Sequence, residues 1–215
     1  MDHLSVSEFD FSPYDATELD AEEVFWRDHQ RWLQDCDYML RPRYMPDWKP
    51  SWPDEAHMMD YEDAQPLLVR LVDATLSSYN VTDPVQRARI INDATRISDG
   101  TYVTLKIIQP SVHPYEVDIA TSLCSKQLAS NPLNHCVPIQ EVLKVPGDDD
   151  KVILVMPLLR SWDRPEFETV GEGMDFFRQL FEVWDLQSAL GIGLVEFYEL
   201  PGLAIYAQAK RSPSV

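Results

Sequence analysis

Residues 101–108 read Thr-Tyr-Val-Thr-Leu-Lys-Ile-Ile (TYVTLKII), and this stretch decides the fold. β-branched and aromatic residues dominate it, which favours extended backbone over helix. Asp99-Gly100 just before it is a hairpin signal, since glycine accepts the positive φ of a tight turn. The chain on the other side of that turn, Arg89 to Ile97, is also β-branched and strand-like. Alternation puts Val103, Leu105 and Ile107 on one face of the 101–108 strand and Thr104, Lys106 and Ile108 on the other. A lysine in the middle of an apolar strand is costly unless its head reaches water or a partner. The next segment, His113 to Leu128, reads as a helix with Pro114 in its first turn. Glu116 there lies three, four and seven residues before Ile119, Ala120 and Leu123, so it borders the apolar stripe. A carboxylate in that place needs compensation as well. A Lys and a Glu on adjacent elements, both facing inward, can pair, and a lysine so held is suited to an anionic phosphate.

Working outward, Cys136 to Leu143 and Val152 to Leu158 are apolar runs of strand length, and Pro146 to Asp150 (PGDDD) is the turn between them. Thr169 and Glu172 have the spacing of a capping box. The spacing after them predicts a helix over Met174 to Trp184, with Phe177, Leu180, Phe181 and Trp184 inward. No periodicity is visible from Asp185 on. Toward the N-terminus, residues 1–20 read as a disordered acidic leader. Residues 21–40 read as an amphipathic helix carrying Val24, Phe25, Leu33 and Cys36, with Trp32 beside them. Arg41 to Pro53 holds four prolines with Trp48 and Trp52, which predicts extended chain packing its aromatics on a neighbour. Asp60 to Tyr79 reads as helical, with Pro66 breaking it or marking its first turn.

Composition narrows the function classes. In 215 residues, Lys+Arg 18 against Asp+Glu 36 leaves a net charge of −18. Such a surface repels phosphate backbones and anionic membranes, so no nucleic-acid or membrane partner is expected. None of the glycines, 7 in all, precedes Gly100, which excludes a glycine-rich phosphate loop from the first hundred residues. Gly171-x-Gly173 and Gly191-x-Gly193 fail the dinucleotide fingerprint, because Phe176 and Glu196 stand at the third glycine position. The three cysteines, Cys36, Cys124 and Cys136, are an odd set and no disulfide framework. Cys124 and Cys136 with His113 and His135 match no zinc spacing, so no metal site is expected. With no signal-like or membrane-spanning run, the expectation is an intracellular location, cytoplasmic or nuclear.

The ordered set of motifs resembles a family, the small lobe of eukaryotic-type protein kinases, and most of all the kinase-like proteins of fungi. Val103-Thr104-Leu105-Lys106 resembles the family's V-A-I-K strand. Glu116-Val117-Asp118-Ile119 is similar to the start of its C helix. Asn134-His135-Cys136-Val137-Pro138-Ile139 resembles the segment leading to the fourth strand, and Val152 to Met156 the fifth. Asp175 to Glu182 (DFFRQLFE) is similar to the helix that opens the large lobe. The resemblance implies an α+β fold: a twisted antiparallel sheet with one main helix, a helical, Pro-rich N-terminal extension, and a fragment of the large lobe. It implies an organisation of leader (1–20), extension (21–86), small lobe (87–160), start of the large lobe (161–184) and divergent tail (185–215). It also implies ATP as ligand, with Lys106 on the α/β-phosphates, Glu116 orienting Lys106, Met156 as gatekeeper, and Leu158 and Leu159 in the hinge beside adenine.

The family activity is ATP-dependent phosphoryl transfer to a protein Ser/Thr hydroxyl, which requires all of its positioning parts. Several are missing. No histidine follows His135, so no H-R-D loop exists downstream, and no D-F-G occurs. The glycine-rich loop is absent, and with these motifs go the holders of Mg. After Glu182 the pattern breaks off, as a retained intron or an altered reading frame would make it. The expectation is therefore a chain without phosphotransferase activity and without catalytic residues. The rival expectation is a pseudokinase fragment or non-catalytic interaction module, with the N-terminal extension and the 174–184 helix docking on a protein partner.

Overall fold

A computed structural model describes residues 19, 21–49, 90–158 and 167–191. The expected leader and the expected helix over Asp60 to Tyr79 lie outside the described residues. The fold is α+β, and its centre is a five-stranded antiparallel sheet in the order β1-β2-β3-β5-β4. Its strands are β1 (Tyr38–Leu40), β2 (Ile91–Arg96), β3 (Tyr102–Ile108), β4 (Glu141–Lys144) and β5 (Val152–Pro157). The helices are α1 (Ala21–Asp35), α2 (Glu116–Leu123), α3 (Lys126–Ala129) and α4 (Val170–Ala189).

The β2–β3 hairpin forms where the sequence placed it. Gly100 sits at φ 72, the left-handed conformation that glycine adopts without a Cβ clash. The Asp99 carboxylate accepts from the backbone N–H and hydroxyl of Thr101, at 2.9 and 2.7 Å, which closes the turn. Strand β3 is central: Leu105 lies opposite Asn92 on β2 and Val155 on β5. Val103 and Leu105 are fully buried against a core of Trp26, Leu33, Tyr38, Leu40 and Tyr44. The opposite face, with Ile108 and Leu154, packs on Ala120 of α2.

Several local expectations need correction. The 21–40 helix ends at Asp35, because Asp37 takes φ 78 and turns the chain into β1. Asp37 also accepts from the Ser98 backbone N–H at 2.9 Å and from its hydroxyl, pinning the end of α1 to the β2–β3 turn. The N-terminal segment thus adds a strand to the sheet (Leu40 opposite Ala94) besides packing on it. Trp26 and Leu33 are its most buried apolar residues, whereas Phe25 and Cys36 are only half-buried. The 113–128 helix is shorter and interrupted: α2 starts at Glu116, Pro114 lies in the preceding turn, and Ser125 separates α2 from α3. The expected strand from Cys136 shrinks to Glu141–Lys144. Upstream of it the Asn134 carboxamide donates to the Leu123 and Leu128 carbonyls and accepts from the Cys136 N–H, which holds that chain irregular.

Helix α4 carries the capping box at Thr169 and Glu172 and continues past Trp184, across the expected large-lobe and tail boundary, to Ala189. Its inward face is not the expected one. Gln179, Val183, Leu186 and Gln187 are buried, while Phe177, Phe181 and Trp184 are exposed and Leu180 is intermediate. No described helix is long and apolar enough to cross a membrane.

Candidate functional site

Lys106 and Glu116 meet. The alternation of β3 aims Lys106 at the α2 side of the sheet, opposite Ile91 on β2 and Leu154 on β5. Glu116 opens α2 and turns into the same space. The Lys106 ammonium donates to the Glu116 carboxylate, with the side chains 1% and 2% exposed. Those low values mean that water solvates neither charge and that each depends on the other. Burial pushes the Lys106 ammonium below the ordinary lysine value, and the Glu116 carboxylate pulls part of that shift back.

A second ion pair shares this face. Asp93 lies opposite Thr104, and residues directly opposite project to the same side of a sheet, so Asp93 stands diagonal to Lys106. Arg41, just past β1, donates through Nε to Asp93 Oδ2 at 2.7 Å. Asp93 Oδ1 is buried and has no hydrogen-bond partner among the described residues. The face therefore runs from Arg41 and Asp93 at one end, across Thr104 and Met156, to Lys106 and Glu116 at the other. Sequence reasoning missed Arg41 and Asp93. The available signal was an acid inside the strand-like run Ile91-Asn92-Asp93-Ala94.

Met156 is buried opposite Thr104 on this face and serves as packing there. Leu158 is half-buried and donates its N–H to the Tyr102 carbonyl at 3.3 Å, while Leu159 lies outside the described residues. The cysteines and histidines are used elsewhere. Cys124 Sγ accepts from the Ile139 N–H at 3.0 Å, and all three cysteines are free. Burial, with Cys124 adding to it, pushes the Cys136 thiol up to about 11. His135 Nε2 meets Glu182 Oε2 at 2.7 Å and ties the segment before β4 to α4. Among the described residues no three His, Cys, Asp or Glu side chains gather as a metal site.

Chemically, this face offers one ammonium and one guanidinium, each held by a carboxylate, above an apolar floor. It presents no nucleophile with an adjacent base. Comparison of the chain with protein-family models, with curated proteins and with solved structures finds no match.

Proposed function

We propose that this chain is a kinase-like small lobe that binds a nucleotide through its phosphates and does not transfer the phosphoryl group. The buried Lys106–Glu116 pair, bridging the central strand to the helix beside it, carries the reading. A lone strand lysine would reach solvent; this one is turned inward and oriented by a carboxylate, the arrangement that presents fixed donors to phosphate oxygens. The strand order, with β3 between β2 and β5, supports the same reading. ATP fits the charge of Lys106 and the apolar floor at Met156 and Leu158. Magnesium does not fit the described donor set, because the carboxylates on this face, Asp93 and Glu116, are each engaged by a cation of the protein. Phosphoryl transfer requires a base and metal-holding side chains beyond these, so binding without turnover is the expected behaviour.

Thermal unfolding with ATP in the presence of EDTA tests this. A ligand at ten times its Kd stabilises by about 1.4 kcal/mol, a shift of a few degrees. The expected result is stabilisation by millimolar ATP that Lys106→Met removes and, in a separate assay with magnesium in place of EDTA, no labelled phosphate transferred to a generic substrate. Absence of any shift with the wild-type chain, or an equal shift with Lys106→Met, overturns the reading. Because Lys106→Met also perturbs folding, Lys106→Met/Glu116→Leu serves as a second variant, which removes the donor without leaving a buried charge.

A further inference from the structure

The observation stands apart from the nucleotide face and concerns the outer side of α4. Val170, Met174, Phe177, Phe181 and Trp184 are all exposed, with Phe177 51%, Phe181 55% and Trp184 43%. Their spacing is four, three, four, three, which places all of them on one stripe of the helix. The stripe spans fifteen residues, Val170 to Trp184, about 21 Å at 1.5 Å rise per step. Phe181 and Trp184 stack with ring centroids 6.4 Å apart, so the stripe is a continuous aromatic surface in its last turns. A patch of this kind marks an interaction site.

The alternating spacing of three and four is the seam that another helix reads by knobs-into-holes packing, at a crossing near +20°. An extended strand, with its period of two, does not match that periodicity. One edge of the stripe is acidic. Asp175, Glu182 and Asp185 run along one edge, and Glu168 and Glu172 stand at the N-terminal end. Arg178 is the base of α4, and it pairs with Asp175 and Glu182, each at 2.6 Å, which leaves Asp185 as the edge acid to face a partner. A second copy of this chain would set like borders together on two bodies of net charge −18 each. An anionic membrane is repelled by the same acids.

We propose that the outer face of α4 is a docking seam for a basic amphipathic helix of a partner protein. The partner places apolar residues at three- and four-residue spacing over Met174, Phe177, Phe181 and Trp184, and Lys or Arg beside Asp185. The seam supplies affinity through the aromatics, and the borders set orientation and association rate.

The test uses the full chain and labelled helical peptides of about 20 residues, long enough to cover the seam. One peptide has leucines at three- and four-residue spacing with lysine borders; its sibling has glutamate borders. The expected result in fluorescence polarisation is binding of the lysine peptide at least about tenfold tighter than the glutamate peptide, weakening with salt. Phe177→Ser/Phe181→Ser is expected to weaken the lysine peptide about tenfold or more with unchanged circular dichroism, since both side chains are exposed. Asp185→Lys is expected to narrow the preference between the two peptides. Equal binding of both peptides, no binding at about 100 μM, or binding insensitive to Phe177 and Phe181 overturns the proposal. A dimer in sedimentation velocity that Phe177→Ser/Phe181→Ser dissolves would assign the seam to a second copy and overturn it too. None of these readouts involves ATP, so the outcome is independent of the nucleotide reading.

Discussion

Replacing Lys106 by methionine keeps most of the hydrocarbon stem and deletes the charge. Glu116, 2% exposed, is then left with no described partner charge and almost no water. At about 4 Å and an effective dielectric near 20, the lost attraction is on the order of 4 kcal/mol. Removing one partner of a buried pair typically costs about 3–5 kcal/mol, the same magnitude from a different direction. A domain whose whole stability is about 5–15 kcal/mol loses about a quarter of it or more. Removing both charges, in Lys106→Met/Glu116→Leu, is expected to leave stability within about 1 kcal/mol of wild type or above it, because neither ion must then be desolvated. The double-mutant cycle thus predicts a coupling energy of about 3 kcal/mol or more. Urea unfolding followed by tryptophan fluorescence reads it, through the Trp26 side chain in the main core. With an m-value of about 2 kcal/mol/M, the midpoint of Lys106→Met falls by about 2 M, and the double variant recovers it. Additive effects, or a single-variant loss under about 0.5 kcal/mol, would refute the burial argument and put both side chains in water.

Thr169→Ala removes the oxygen that accepts from the Glu172 N–H at 3.2 Å; helicity of α4 is expected to fray at its start and stability to fall by about 1 kcal/mol, read by circular dichroism. At Gly100 a Cβ would meet nothing within 4 Å, so Gly100→Ala costs only the left-handed backbone term, about 1–2 kcal/mol, and Gly100→Asn clearly less, by thermal melts. The Cys136 thiol, pushed up to about 11, is expected to be the slowest of the three cysteines toward an alkylating reagent at pH 8, by mass spectrometry. Glu182 is held below the ordinary glutamate value of 4.5 by His135 and then Arg178. A lowered carboxylate contributes stability that is present above the unfolded value and is lost as pH falls through the folded one. Glu182→Gln is therefore expected to flatten the pH dependence of stability below about 4.5, in melts from pH 3 to pH 6.

The parts of the fold that local pattern dictates were legible. Strand β3 announced itself by composition, its turn by Asp99-Gly100, and the cap of α4 by Thr169 and Glu172. Lys106 and Glu116 were legible because each breaks an apolar pattern, and one exception implied the other. What failed was non-local. Arg41 and Asp93 are 52 residues apart in sequence, and no periodicity links them. Strand β1 is only three residues long and follows α1 so closely that its residues read as another helical turn. The face of α4 was inverted because apolar residues are commonly inside, which is a one-way rule. Here Val183 and Leu186, with Gln179 and Gln187, are the buried residues, and the aromatics Phe177, Phe181 and Trp184 are left outside.

The pairing of Leu40 with Ala94 has a kinetic consequence. Strands β2 and β3 need only a tight turn to meet, so their hairpin forms in microseconds. Joining β1 to β2 pairs residues that are far apart in sequence, Leu40 with Ala94, and such a non-local contact forms more slowly than a hairpin. The hairpin is thus the early event and the α1–β1 unit docks late, bringing Trp26 and Tyr44 onto a sheet already assembled.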